Sequence, residues 1–364
     1  MVTARALVSR DPLSPFSIES VQIDDPRSDE ILVRMRATGI CHTDLVARAA
    51  GSRTRPVLLG HEGAGVVETV GSRVTGIRPG DHVVLTYRRC GTCANCAQGR
   101  PAYCHRGGVL NQFGTRADGS PRVTSGGGPV ADGFFGQSSF AEMALTTQDN
   151  TIVVDRDVDL AVAAPLGCSV QTGAGAVMNV LRPEPSDSFV VHGAGGVGMA
   201  AVLAAVATGV GTICVVETSG ARRALALDLG ATHVFDPADV DVVEALRDVT
   251  GGGVTHALDT TGVADVVADA IAALGIGGTL VTVGLGKGTV RLDLLDTVIT
   301  GKTVRGCLEG DSIPEQFVPV LTALLRDGRL PVDRLVSSYH WRDIDAAVDD
   351  HRDGKTVKPV LLWE

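Results

Sequence analysis

Through the first 160 residues apolar positions recur in short alternating runs, as in ILVRMRATGI (31–40) and GAGVVETVG (63–71), punctuated by Gly and Pro. A period of two between turn residues predicts a twisted, mainly antiparallel β region. Residues 107–133 are Gly-rich and read as one long loop. From about residue 172 the pattern changes. The apolar runs SFVVHG, TICVVE, THVF, HALDTTG, TLVTVG and TVRGC alternate with helix-like stretches such as VGMAAVLAAVATGV, ARRALALDLG and VDVVEALRDVT. That alternation predicts a parallel sheet covered by helices on both faces. After about residue 311 the texture is mixed, and TVKPVLLWE reads as a strand returning to the first region. The expectation is an α/β protein in two domains, 1–171 with 311–364 and, separately, 172–310. A length of 364 residues, too great for one core, agrees with that division.

Charge and cysteine usage narrow the function. A net charge of -10 argues against a nucleic-acid or anionic-membrane surface and favours a small-molecule substrate. The opening MVTARALVSRDPLSPF breaks its apolar positions with Arg5, Arg10 and Asp11, so it reads as neither signal nor anchor. Eight cysteines without such a signal predict thiols that serve metals in a reducing, cytoplasmic setting.

Half of those cysteines lie in YRRCGTCANCAQGRPAYCHR (87–106), where Cys90, Cys93, Cys96 and Cys104 are spaced Cys-x2-Cys-x2-Cys-x7-Cys. Two-residue gaps let successive sulfurs turn back to one centre, and four thiolates close around a tetrahedral zinc. No position is left for a substrate, so the cluster reads as a structural clip.

The stretch FVVHGAGGVGMAAV sets Gly193, Gly195 and Gly198 as G-x-G-x-x-G, with Gly196 and Val197 between them, directly between a strand and a helix. Glycines allow the tight turn, and the helix N-terminus offers unpaired N–H groups to a pyrophosphate, as in a doubly wound Rossmann domain. Glu217 ends the next strand, placed to bind a ribose diol and to repel a 2'-phosphate, which favours NAD. Arg222 and Arg223 stand close enough to accommodate that phosphate and keep NADP in play.

GICHTDL, GHEGAGVVETVG, the four-cysteine loop, LGCSVQTGAGAV and GAGGVG follow one another along nearly the whole chain. In this order they resemble the zinc-dependent medium-chain alcohol dehydrogenases. GRLPVDRLV and FFGQSSFAEMAL further resemble the aryl-alcohol (benzyl-alcohol) subgroup. The resemblance implies a GroES-like first domain and a second, catalytic zinc on Cys41, His61 and Cys168, residues that singly read as a small buried Cys or a structural His. It implies Asp44 as the carboxylate orienting His61, Glu62 behind the metal as an occasional ligand, and Thr43 as the start of a proton relay. It also implies His42 and Lys358 as basic contacts to the pyrophosphate, and Thr86 at the floor of a pocket roomy enough for a ring. Val46 departs from the pattern, standing where many relatives place a relay His. The implied activity is hydride transfer between NAD and primary aromatic or allylic alcohols and their aldehydes. Two zinc ions per chain and a homodimer or homotetramer, paired through TVRGCLEG, are implied with it. The alternatives are a thiol-adduct (formaldehyde-type) dehydrogenase of the same superfamily and a zinc- and NAD-binding protein without catalysis. Cys214 and Cys307 read as packing residues.

Overall fold

In the computed structural model, which describes residues 1–50, 55–113, 116 and 118–363, the run ILVRMRATGI forms the strand Glu30–Gly39. Val33, Met35 and Ala37 are buried while Arg34 and Arg36 face solvent, the alternation a half-covered sheet requires. One edge of this strand pairs antiparallel with Glu62–Val70. The other edge takes Met143–Thr147 along residues 30–34 and Lys358–Leu362 along residues 37–39. His82–Leu85 and Thr151–Val154 extend the same sheet beyond Glu62–Val70, and Val336–His340 lies parallel to Lys358–Leu362. A second, five-stranded sheet contains the antiparallel pair Val2–Ser9 and Ser17–Ile23. Leu7, Ile31, Met35, Phe140 and Trp363 belong to the apolar core of this unit.

In the second unit the chain lays Ser188–His192 down first, adds Thr212–Val216 and His233–Phe235 on one side, then resumes on the other with Val254–Asp259, Leu274–Thr282 and Thr303–Gly306. All these neighbours are parallel. The order reverses between Ser188–His192 and Val254–Asp259, the place where open α/β sheets bind ligands. Gly196–Thr208 follows the first strand, and every residue from Gly198 to Ala205 is buried. That accounts for its apolar character all round.

Contacts divide the chain into Met1–Cys168 with Ile313–Arg326 and Val336–Glu364, and Ser169–Ser312 with Asp327–Leu335. Residues 327–335, expected with the first domain, therefore belong to the second. Leu330 and Val332 are fully buried there, Arg329 donates to the Ala207 carbonyl at 2.7 Å, and Arg334 pairs with Asp228. The expected loop at 107–133 also carries structure, the short helix Gly107–Asn111 and the paired strands Val123–Ser125 and Gly128–Pro129. Residues 114, 115 and 117 of that stretch lie outside the described residues. No single helix among the described residues is long and apolar enough to cross a membrane.

Candidate functional site

Cys41 directly precedes the helix His42–Ala50, His61 directly precedes the strand Glu62–Val70, and Cys168 follows the turn Ala164–Gly167. The fold brings these three element ends together, so that the two sulfurs and an imidazole nitrogen all lie within 4.8 Å of one another. Asp44 fixes the arrangement. Fully buried, it accepts from the Cys41 N–H at 3.1 Å and the Gly60 N–H at 3.0 Å, and its Oδ1 lies 2.9 Å from His61 Nδ1. With Nδ1 engaged, Nε2 is the nitrogen left for a metal; it is buried and without a hydrogen-bond partner. Burial opposes charge on His61, but Asp44 and Cys41 prevail and hold the imidazole well above its ordinary value. The Cys168 thiol and, against the cost of burial, the His61 imidazole hold Cys41 well below the usual thiol range. A Cys41 thiol biased toward thiolate, the Cys168 sulfur and an orphaned imidazole nitrogen fit a zinc ion bound by three protein ligands, with one position open.

Aromatic rings enclose the same histidine. Phe135 stacks on His61 with centroids 4.6 Å apart, and Phe134 meets it edge-on at 5.3 Å. Phe135 takes this position with φ at 50°, a strained left-handed conformation for a bulky residue. Gln137 braces the loop, donating to the His61 carbonyl at 2.9 Å and accepting from the Gly63 N–H at 3.1 Å. Local sequence offers no spacing rule for Phe135 or Gln137; only the text FFGQSSF marked the region.

Glu62 and Lys358 meet each other. Lys358, expected against a pyrophosphate, is buried in the first unit and donates to both Glu62 carboxylate oxygens, at 3.1 and 3.0 Å, and to the Ile40 carbonyl at 3.1 Å. A buried ammonium needs such partners. Burial raises the Glu62 carboxyl; burial likewise opposes the Lys358 charge, but the Glu62 carboxylate overcomes it and holds the lysine above its ordinary value. The pair is tightly enclosed, since a Cβ added at Gly39 would lie 2.1 Å from Glu62 Oε2. Of the remaining expected residues, His42 is exposed and Thr43 half-buried on the first turn of their helix, with Val46 exposed on the next. Thr86 is fully buried, and its hydroxyl donates to the Gly167 carbonyl at 2.7 Å, one residue before Cys168.

The second cluster is of another kind. The sulfurs of Cys90, Cys93, Cys96 and Cys104 all fall within 4.8 Å of one another, and only Cys104 is buried. Backbone amides supply the local order, with the Cys90 N–H on Cys104 Sγ at 3.3 Å and the Cys93 N–H on Cys90 Sγ at 3.4 Å. The backbone and hydroxyl of Thr92 pull Cys90 down to about 6, whereas burial and the Cys93 thiol push Cys96 up to about 12. Four convergent sulfurs form a complete tetrahedral set.

In the second unit Gly193 has φ of 90°, and a Cβ on Gly198 would lie 1.9 Å from the Gly193 carbonyl oxygen, so both glycines are demanded by the turn itself. Gly195 differs. An added Cβ there would meet nothing within 4 Å, so packing within the protein does not demand glycine at the helix start. Glu217 is buried and accepts from the Ala194 N–H at 2.7 Å and the Ser219 N–H at 2.8 Å, which sets its carboxylate against the glycine turn. Arg223 is committed to Asp236 at 2.7 Å and to the Glu217 carbonyl at 2.6 Å; Arg222 is half-buried at the start of the next helix. Cys214 and Cys307 are buried, and burial pushes both thiols up to about 12, as befits packing residues.

Comparison with known proteins agrees with both halves. The alcohol dehydrogenase GroES-like domain matches residues 27–156, and the zinc-binding dehydrogenase domain matches residues 196–326. Geraniol dehydrogenase of Castellaniella defragrans is 43% identical over 366 residues, covering 100% of this chain and 98% of that protein. A crystal structure of an alcohol dehydrogenase zinc-binding domain protein from Burkholderia ambifaria superposes with a TM-score of 0.97 at 47% identity, over 100% of this chain and 99% of that one. Benzyl alcohol dehydrogenase from Acinetobacter calcoaceticus gives 0.96 at 40% identity over 100% of both chains. Identity of this order over full length, on a fold that gathers the Cys41, His61 and Cys168 donors, places the chain in the zinc-dependent medium-chain alcohol dehydrogenase family.

Proposed function

We propose that the chain is an NAD-dependent dehydrogenase of primary aromatic or allylic alcohols, with one zinc in each cysteine cluster. The observation that carries this reading is the three-donor set of Cys41, His61 and Cys168 walled by Phe134 and Phe135. Cys41, His61 and Cys168 would hold a zinc ion, which would supply Lewis acidity, and the glycine turn with Glu217 would hold a dinucleotide, which would supply the hydride acceptor. The chain's own residues do the rest. Asp44 keeps the His61 ring turned so that Nε2 faces the donor set. The phenyl rings exclude water and offer an apolar wall to a ring or alkene. Thr43 accepts the alcohol proton at its hydroxyl oxygen while its own hydroxyl proton passes outward toward solvent; Val46 cannot carry that proton, so the outer end of the relay differs from that of relatives with a His. Thr86, small and held by Gly167, leaves volume beside Cys168. His42, exposed at a helix start, reaches for the pyrophosphate, while Glu217 receives the ribose diol and disfavours a 2'-phosphate despite Arg222.

Relatives named for geraniol and benzyl alcohol fit the substrate class. A homodimer or homotetramer fits the surface of the second unit. The edge strand Thr303–Gly306 is exposed throughout, and the nearby helix Leu294–Thr300 leaves Leu294 77% and Val298 79% exposed. Eight free cysteines fit a cytoplasmic setting.

Absorbance at the NADH band tests the reading. Benzyl alcohol or geraniol with NAD should give kcat/KM at least about a hundredfold above ethanol, since a buried ring adds several kcal/mol of apolar contact at about 25 cal/mol per Å2. Equal turnover of ethanol, or a preference for NADP, would remove the corresponding half.

A further inference from the structure

Six arginines, Arg27, Arg88, Arg89, Arg106, Arg116 and Arg122, line one cavity of about 600 Å3 in the first unit of a chain whose net charge is -10. Its wall holds three carboxylates, those of Asp29, Glu30 and Asp149. The other acids that pair with these arginines, Asp24, Asp118, Asp132 and Glu315, do not line it. Guanidinium groups therefore outnumber carboxylates on the cavity surface, with part of the counter-charge held outside it. Arg116 and Arg122 are buried and fixed: Arg116 donates to both Glu30 oxygens at 2.8 and 2.7 Å, and Arg122 Nε lies 3.1 Å from Asp132 Oδ2. Arg88 spends Nε and one terminal nitrogen on the Asp149 carboxylate, at 3.2 Å each, and keeps the other for a further acceptor. Arg106 is exposed and forms no ion pair among the described residues. Val109, also exposed, and Leu110 add an apolar side.

Planar guanidinium forks take phosphate oxygens in pairs, and a phosphate monoester brings about two negative charges and several acceptor oxygens to such a cluster. Inorganic phosphate alone would leave most of the cavity empty, since its volume is that of an ordinary small-ligand pocket. We propose that this cavity binds a phosphate monoester with a small apolar body, the phosphate held among the arginines with Arg106 foremost and the body lying on Val109 and Leu110. The site is separate from the alcohol site. Glu30 starts the strand Glu30–Gly39, whose other end leads to Cys41, and the strand spans roughly 30 Å at about 3.3 Å per residue. Neither of the phenyl rings that enclose His61 lines the cavity.

Titration calorimetry of the purified protein with phenyl phosphate, inorganic phosphate and benzoate tests this. Phenyl phosphate should bind at least about tenfold more tightly than inorganic phosphate, which lacks the ring, and than benzoate, which carries a single charge. Arg106→Ala should weaken phenyl phosphate by about tenfold or more, and Arg106→Lys, which keeps the charge but not the fork, by less. Arg36→Ala removes an equal charge from an exposed position outside the cavity and should leave the affinity within about twofold of wild type. Val109→Ser should narrow the preference for phenyl phosphate over inorganic phosphate. Because Arg106, Arg36 and Val109 are all exposed, each variant should keep the wild-type thermal midpoint, so that lost binding cannot be lost folding. A wild type that does not bind phenyl phosphate overturns the proposal. So does binding that survives Arg106→Ala unchanged, or that Arg36→Ala weakens as much.

Discussion

The two cysteine clusters use similar atoms to opposite ends. Cys90, Cys93, Cys96 and Cys104 come from one short stretch, three of them half-buried, among helices of only a few residues. Cys41, His61 and Cys168 come from distant parts of the chain and meet between elements anchored in the main sheet and its core. The first set is complete by itself and braced by backbone amides. The second is one ligand short and braced by buried side chains, Asp44 and Gln137 among them. A cluster that organises its own loop contributes to folding, while one that the fold organises is available for chemistry.

The sharpest way to break this contrast is to remove one sulfur from each set. Cys168→Ser should lower turnover by at least about a thousandfold while the thermal midpoint stays near wild type and one zinc per chain remains by metal analysis. Cys93→Ser should do the reverse. Its loop loses the bound metal, stability falls by about 3 kcal/mol, and the midpoint drops by roughly 6–12 °C, with kcat per folded molecule much less affected. If the two variants exchange phenotypes, the assignments must be exchanged too.

A milder probe acts behind the open set. Asp44→Asn keeps size and loses the charge that orients His61, so competition with a chelator should show zinc affinity at that cluster reduced about 10- to 100-fold, and none lost at the other.

The smallest effect separates acid release of metal from acid unfolding. His192 has a folded pKa of about 4, below its unfolded value of 6.5, so its contribution to stability is full above pH 6.5 and lost as pH falls toward 4. Urea midpoints at pH 7.5 and pH 5 should show His192→Phe losing about 1–2 kcal/mol less on acidification than wild type. An identical pH dependence would mean that His192 titrates normally.

The same contrast explains what could be read from the chain. Contiguous devices were legible, because Cys-x2-Cys spacing and a glycine turn between strand and helix carry their geometry in local order. Cys41, His61 and Cys168 could be joined only by resemblance, since a contact between distant segments leaves no period in the chain. The partner of Lys358 was hidden for a related reason, since nothing in GKTVKP signals that it is Glu62, 296 residues earlier. Residues 327–335 went to the wrong unit because Leu330 and Val332 look alike whichever core they enter. Phe135 was hidden more deeply, because no side-chain pattern announces a left-handed phenylalanine stacked on a buried histidine.

The pairing of Glu62 with Lys358 also sets a clock on biosynthesis. At roughly 5–20 residues per second, the ribosome delivers the lysine about 15–60 s after the glutamate. Throughout that interval the strand Lys358–Leu362 is missing from the edge of Glu30–Gly39, and Glu62 lacks the Lys358 ammonium. The nascent first unit therefore waits with an open sheet edge and an unbalanced carboxylate while the whole second unit is made. The sheet behind Cys41 and His61 is thus completed only at the end of synthesis, whereas the four sulfurs of the Cys90 loop emerge together long before.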